Sequence, residues 1–87
     1  MKLYFEYSNG ERKLLGKPNT IKDMSREIFE FLKEHGYRSY YKRYSVHDFD
    51  ELYIDFGSHT CFFVVKDMSV QDLRDLGLPE ENRGEQL

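Results

Sequence analysis

The residues that could do chemistry in this sequence gather in the segment Tyr53–Val65, which reads YIDFGSHTCFFVV. Positions 55–57 spell D-F-G, the letters of the metal-binding turn of protein kinases. A kinase also needs a glycine-rich nucleotide loop, a strand lysine and an H-R-D catalytic loop, and the sequence has none of these motifs. We therefore interpret positions 55–57 as a turn and predict no catalytic residue and no enzymatic activity.

A metal site would have to use His59 and Cys61, with His47 as a third ligand. Residues two apart on a strand share a face, so the first two could reach one ion. Structural zinc normally takes four ligands in two close pairs, and no second pair exists. Cys61 lies beside apolar residues, which favours an inert thiol. We predict no metal and no cofactor.

Acidic residues cluster just before this segment and within it, at Asp48, Asp50, Glu51 and Asp55. Their spacing does not match a calcium-binding loop, and a solvated turn is the plain alternative. Complementary charge orients association, whereas buried aromatic side chains supply affinity. We therefore predict that these four acids, together with Phe62, contact a partner protein.

A second candidate surface mixes aromatic and basic residues between positions 37 and 44. Tyrosine rings can stack on bases while cations meet phosphates, so this mixture suits single-stranded nucleic acid. The residues that would bind it are Arg38, Tyr41, Lys42 and Arg43. The alternative is a strand with half-buried rings and solvated cations. The net charge of −3 also disfavours a polyanion as partner.

Length and composition predict a small soluble protein. Its 87 residues suit one domain, and seven Phe and seven Tyr can supply much of a small core. A single Cys favours a reducing compartment. No apolar run is long enough to cross a bilayer, and no basic and apolar leader is present. We expect a cytoplasmic protein without a membrane partner.

Charge divides unevenly along the chain. Residues 1–44 carry ten Lys and Arg against six Asp and Glu, a net of +4, and residues 45–87 carry three against ten, a net of −7. Such a split can mark a charged contact surface. The alternative is that folding interleaves the two halves and cancels the field.

The N-terminal part predicts a hairpin and then a helix. Residues 2–7 alternate apolar and polar side chains, as a strand does. Asn9-Gly10 fits a two-residue type I′ turn, which would place Phe5 opposite Leu14 on a return strand. The helix follows from an apolar stripe at Ile21, Met24, Ile28, Phe31, Leu32 and His35.

The sequence also predicts where that helix begins and ends. Thr20 suits the N-cap, and Gly36 suits the left-handed residue that closes a helix. Arg26 and Glu30 have the spacing of an ion pair.

Three more strands and a short helix are predicted after it. The strands cover residues 39–46, 51–56 and 61–65, and the helix lies within 67–77. In the last hairpin, loops of two or four residues both place the same side chains on the face under the main helix. These are Leu52, Ile54, Phe56, Cys61, Phe63 and Val65. Phe62 and Val64 face the other way, and either the short helix covers them or they form an exposed patch.

The fold class is therefore α+β, with the order ββαβββα. We expect a mostly antiparallel five-stranded sheet with one main helix packed on one face and a short C-terminal helix. Residues 1–79 would form a single domain, and 80–87, which have little to bury, a disordered tail.

The hairpin with Asn9-Gly10, the amphipathic helix, the tyrosines around Arg43 and the closing IDFGSHTCFF resemble small uncharacterised proteins of phages and prophages of Gram-positive bacteria. The resemblance spans roughly residues 2–66, and DFGSHTxFF is its most specific part. It implies no catalytic residue. It implies a mobile-element protein that binds a host protein, such as a nuclease or a CRISPR effector.

Together these observations predict a non-enzymatic binding protein that inhibits a host nucleic-acid-handling or defence factor. The alternative is a single-stranded nucleic-acid-binding protein. A small enzyme is a third interpretation that no group of residues supports. The protein would be a monomer or a weak homodimer associating through its edge strands.

Overall fold

The computed structural model describes residues 1–39, 41–48 and 51–77, with only the backbone at 47 and 48. The predicted tail at 80–87 lies outside these residues. The elements are, in chain order, β1 (Lys2–Glu6), β2 (Arg12–Gly16), α1 (Ile21–His35), β3 (Arg43–Asp48), β4 (Glu51–Asp55), β5 (Phe62–Lys66) and α2 (Val70–Asp75). The strands form one sheet in the order β2-β1-β5-β4-β3, and every neighbouring pair is antiparallel. The predicted α+β architecture is confirmed.

Helix α1 covers one face of the sheet and supplies four of the eleven buried residues of the core cluster. The side chain of Thr20 accepts a hydrogen bond from the Asp23 amide at 3.1 Å, and Gly36 ends the helix at φ 70°. Both predicted caps are confirmed, whereas Arg26 pairs with Asp23 at 3.1 Å and not with Glu30. The buried helix residues and the inward strand residues form one apolar cluster, Leu3, Phe5, Met24, Ile28, Phe31, Leu32, Leu52, Ile54, Phe56, Phe63 and Val65.

The hairpin between β1 and β2 differs from the prediction by one residue. The Tyr7 amide donates to the Glu11 carbonyl at 2.8 Å, and the Gly10 amide donates to the Tyr7 carbonyl at 2.9 Å, so the loop has three residues. Of the two turn residues only Gly10 has positive φ, at 88°, which excludes a type I′ turn. The predicted register was therefore wrong.

That one-residue shift decides where the β2 side chains point. Lys13, and not Leu14, lies opposite Phe5, and Leu14 lies opposite Tyr4. Because neighbouring residues on a strand point to opposite faces, Leu14 is moved away from α1 and is 47% exposed. The next residue, Leu15, points back to the helix side and packs against the core, and a register irregularity between Leu3 and Tyr4 then places Gly16 opposite Leu3.

The hairpin between β4 and β5 follows the four-residue alternative. Ile54 lies opposite Phe63 and Leu52 opposite Val65, the register that a loop over Gly57–Thr60 requires. All the core residues predicted in this hairpin are buried except Cys61, which is half-buried against the same cluster. Gly57 has φ 105°, a conformation that other residues rarely adopt.

The third strand is shorter than predicted because its partner ends. Strand β3 begins at Arg43, opposite Asp55, the last residue of β4. The chain before Arg43 consequently has no strand to pair with. After β5 the chain enters α2, which has the capping box of Ser69 and Asp72, and Met68 and Leu76 pack against the core cluster.

Candidate functional site

The face of the sheet opposite α1, called here the second face, is held by a chain of charged side chains. Arg12 starts on the edge strand β2 and reaches across β1 and β5 to β4. Its Nε donates to Glu6 at 2.9 Å, its Nη2 donates to Glu51 Oε1 at 3.0 Å and to the Tyr53 hydroxyl at 2.9 Å. Lys66 Nζ lies 3.3 Å from Glu51 Oε2. Two cations and two anions thus balance within this network.

The carboxylate of Glu51 is committed to this network. Its side chain is only 15% exposed, and hydrogen bonding to Arg12 lowers its pKa below the ordinary value despite the opposing effect of burial. The same hydrogen bond raises the pKa of Arg12, so both groups stay charged through the neutral range. Burial, followed by the charge of Glu6, raises the pKa of Tyr53, which keeps its hydroxyl protonated.

Val64 lies at the centre of the second face and is fully buried. It sits directly opposite Tyr4 on one side and Tyr53 on the other, and the path of Arg12 from β2 to β4 crosses its strand. Phe62 is half-buried, with its ring edge-on to Tyr53 at a centroid distance of 5.9 Å. The second face therefore presents no exposed patch of Phe62 and Val64.

The predicted acidic contact surface is only partly described. Asp48 ends β3 and its side chain lies outside the described part, as does all of Asp50. Asp55 accepts a hydrogen bond from the Gly57 amide at 2.9 Å and one from the Tyr41 hydroxyl at 3.3 Å. The structure does not bring Glu51 and Asp55 together as open acids, since both carboxylates are engaged within the molecule.

The basic and aromatic residues before β3 are, in contrast, accessible. Arg38, Tyr41, Lys42 and Arg43 are all exposed. The Arg43 guanidinium lies 5.0 Å from the centre of the Tyr41 ring, a cation–π arrangement. This edge of the sheet can offer cations and one ring to an anionic partner.

A concavity among the described residues lies at the other edge of the sheet, between β2 and α1. This groove has a volume of about 260 Å³. Its lining residues are Lys13, Leu14, Leu15, Glu27, Glu30, Phe31, Glu34 and His35. With His35 neutral, three carboxylates against one lysine give the lining a formal charge of −2.

Helix geometry explains why the acids line one wall of the groove. Residues 27, 30 and 34 are spaced by three and four, so they lie within roughly 60° of one another around the axis. They flank the apolar stripe on the side toward β2. At one end of the wall Glu27 lies so close to Gly16 that a Cβ there would collide with its carboxylate.

The backbone of β2 forms the other wall, and no strand pairs with its outer side among the described residues. The Tyr7 amide donates to the Glu11 carbonyl, so the main-chain groups of Glu11 face β1. Along an antiparallel strand these groups alternate in direction, so the amide and carbonyl groups of Arg12 and Leu14 point away from β1. The groove thus joins an unpaired strand edge, an exposed leucine and three carboxylates. The sequence did not predict this groove, although the 27-30-34 spacing was readable, because the predicted register placed Leu14 opposite Phe5 and not opposite Tyr4.

The histidine and cysteine of the opening segment do not form a reactive pair in the structure. His59 is exposed in the loop, and the Cys61 amide donates to the Ser58 hydroxyl at 3.1 Å. Across the described ranges no three His, Cys, Asp or Glu side chains are grouped as a metal ion would require. Nor does any helix in those ranges have the length and apolar character of a membrane span.

Comparison with known proteins adds no relative. No protein-family model matches the chain, and neither a curated protein nor a solved structure does. The functional argument therefore depends on the residues themselves.

Proposed function

We propose that this protein is a non-enzymatic binding module that captures a basic, extended segment of a partner protein in the groove between β2 and α1. The observation that carries the proposal is the coincidence of an open strand edge with a wall of three carboxylates. An edge strand binds a peptide through main-chain hydrogen bonds, and side-chain pockets add specificity.

The charges of the molecule favour this groove over the predicted acidic surface. A partner approaching Glu51 would have to displace Arg12 and Lys66 from its carboxylate. Glu30 and Glu34 are exposed and make no ion pair among the described residues. Cations of a partner can therefore pair with these two carboxylates without breaking an existing ion pair.

A host protein that handles nucleic acid fits the chemistry of the groove, because such proteins carry basic segments. Under this proposal the protein belongs to a mobile element, acts in the cytoplasm, and inhibits its target, such as a CRISPR effector, by occupying a basic strand. No cofactor or metal takes part.

The test is a fluorescence anisotropy titration of a labelled peptide of alternating lysine and valine, at low and at physiological salt. We expect salt-sensitive binding that weakens at least tenfold in Glu30→Gln/Glu34→Gln. The matched control is Asp67→Asn/Asp75→Asn, which removes the same charge from exposed sites outside the groove and should bind as the unmodified protein does. Equal loss in both variants, or no binding at all, would refute the proposal.

Single-stranded nucleic acid is the second candidate ligand, because Arg38, Tyr41, Lys42 and Arg43 are all accessible at the β3 edge. A labelled oligonucleotide in the same titration tests it. Binding that Lys42→Glu/Arg43→Glu abolishes would support it. No binding below about 100 μM at low salt, which is weaker than typical non-specific DNA binding, would exclude it.

A further inference from the structure

We infer that the groove selects a strand whose basic residues alternate with apolar ones, in the order basic, apolar, basic. This inference rests on the proposed protein-binding function and specifies the ligand of the same groove. It follows from the register of β2, the spacing of the acids on α1 and the exposure of one leucine.

The first step is the direction of the β2 backbone. Arg12 and Leu14 turn their main-chain groups toward the open edge, so an incoming strand can form hydrogen bonds with both. Strand residues directly opposite one another share a face of the sheet. Residues of the incoming strand opposite Lys13 and Leu15 must therefore point to the α1 side.

The second step is the distance between the acids. On a strand, side chains of one face recur about every 6.8 Å. On α1, Glu27 and Glu34 are separated by seven positions, which is about 10 Å along the axis, and Glu30 lies between them. Two basic side chains at positions i and i+2 of the ligand can each reach a carboxylate within that length, since lysine and arginine stems are flexible.

The third step concerns the residue between the two cations. It points to the second face, where it meets the side chain of Leu14, which is 47% exposed. An apolar residue there removes both surfaces from water. Adjacent basic residues would instead place one cation on the second face, beside Arg12 and away from the acids.

Lys13 tunes this selectivity from within the groove. It is the cation of the lining, it is exposed, and it makes no ion pair among the described side chains. An incoming basic residue directly opposite it meets like charge, which is unfavourable on a sheet. Lys13→Thr should therefore tighten binding of a basic strand several-fold.

Two labelled peptides of identical composition test the inference, one alternating Lys-Val-Lys-Val-Lys and one with the three lysines together. We expect the alternating peptide to bind at least tenfold more tightly and to slow hydrogen exchange of the Arg12 and Leu14 amides. Leu14→Pro, which removes an outward amide on an edge strand, should abolish this preference, whereas Leu14→Thr should weaken binding only modestly.

Equal affinity for the two peptides, with the dependence on Glu30 and Glu34 kept, would overturn the inference and leave the protein-binding proposal standing. Absence of amide protection in the exchange measurement would overturn it as well, even if Leu14→Pro fails to fold. Concentration-dependent dimerisation that the alternating peptide does not displace would assign the edge to a second copy of the chain and also overturn it. Loss of all salt-sensitive peptide binding would overturn both proposals.

Discussion

The face of the sheet under α1 is covered by apolar side chains that pack against one another, whereas the second face is crossed by the charged side chain of Arg12. Phe5 illustrates the first face, because it is fully buried and its ring lies within 6.2 Å of those of Tyr7, Phe31, Tyr37, Phe56 and Phe63. Arg12 illustrates the second, where it joins Glu6, Tyr53 and Glu51.

The contrast shows how a short chain can cover both sides of a central strand with one long helix. Strand β5 is apolar in both directions, with Phe63 and Val65 toward α1 and Val64 toward the second face. A long arginine side chain covers apolar surface with its stem while its head remains hydrogen-bonded. The first face should respond mainly to changes of volume, and the second mainly to changes of charge.

The largest effect is expected from Phe5→Ala. Removing a buried phenylalanine typically costs about 3–5 kcal/mol, because both burial and packing are lost. Small domains have few kilocalories to lose, so this variant should be largely unfolded at physiological temperature. Urea unfolding followed by circular dichroism would measure the change. A loss below about 1 kcal/mol would contradict the central place of Phe5 in the core.

Arg12→Ala should lower the free energy of unfolding by a smaller amount, about 1–3 kcal/mol, because Glu6 and Glu51 are left without their shared partner. The double variant Arg12→Met/Glu51→Leu keeps long apolar side chains at both positions and removes one of the orphaned charges. It should recover part of the lost free energy of unfolding. The single variants Arg12→Met and Glu51→Leu complete the comparison. If the double variant is less stable than the sum of their effects predicts, apolar side chains cannot replace the charged network that stabilises the second face.

Acid should weaken the second face selectively. The folded-state pKa of Glu51 lies below its ordinary value, so its contribution to stability is present above that value and falls as pH drops through the folded pKa. Urea unfolding between about pH 7 and 3 should show a shallower decline for Glu51→Gln than for the unmodified protein. Glu11→Gln, at an exposed turn position, is the control and should leave the decline unchanged.

The smallest effect is expected from Leu14→Thr. This side chain is 47% exposed at the margin of the second face, so its replacement should change the free energy of unfolding by no more than about 0.5 kcal/mol. Val64→Thr, the matched change at the buried centre of that face, should cost clearly more because it buries a hydroxyl. Similar losses of unfolding free energy for the two variants would mean that the buried part of the second face extends to the β2 edge.

The sequence predicted most of the fold because the relevant signals are local. Thr20 and Gly36 bound the main helix by capping, and a stripe at helical spacing sets its buried face. The alternation of side chains along a strand was enough to place Leu52, Ile54 and Phe63 on one face, because a loop of two residues and a loop of four give the same result.

The candidate groove could not be predicted in the same way. The Asn9-Gly10 pair fits two turns, and the choice between two and three loop residues reverses every side chain of β2. The charge split between the two halves does not mark a contact surface among the described residues, in agreement with the alternative that folding interleaves the halves. Folding places Arg12 against Glu51 from the other half, and the acids of the groove come from the net positive half.

By itself the sequence determined the elements, their order and the residues of the α1-side core, because capping, periodicity and turn preference act over a few neighbouring positions. Only the tertiary structure decided which charges are available to a partner. Glu51 and Glu30 look alike in the sequence, but Arg12 reaches Glu51 across two intervening strands, whereas Glu30 stays exposed beside an unpaired strand edge. Side-chain reach and strand register are properties of the assembled sheet, so no local pattern reports them.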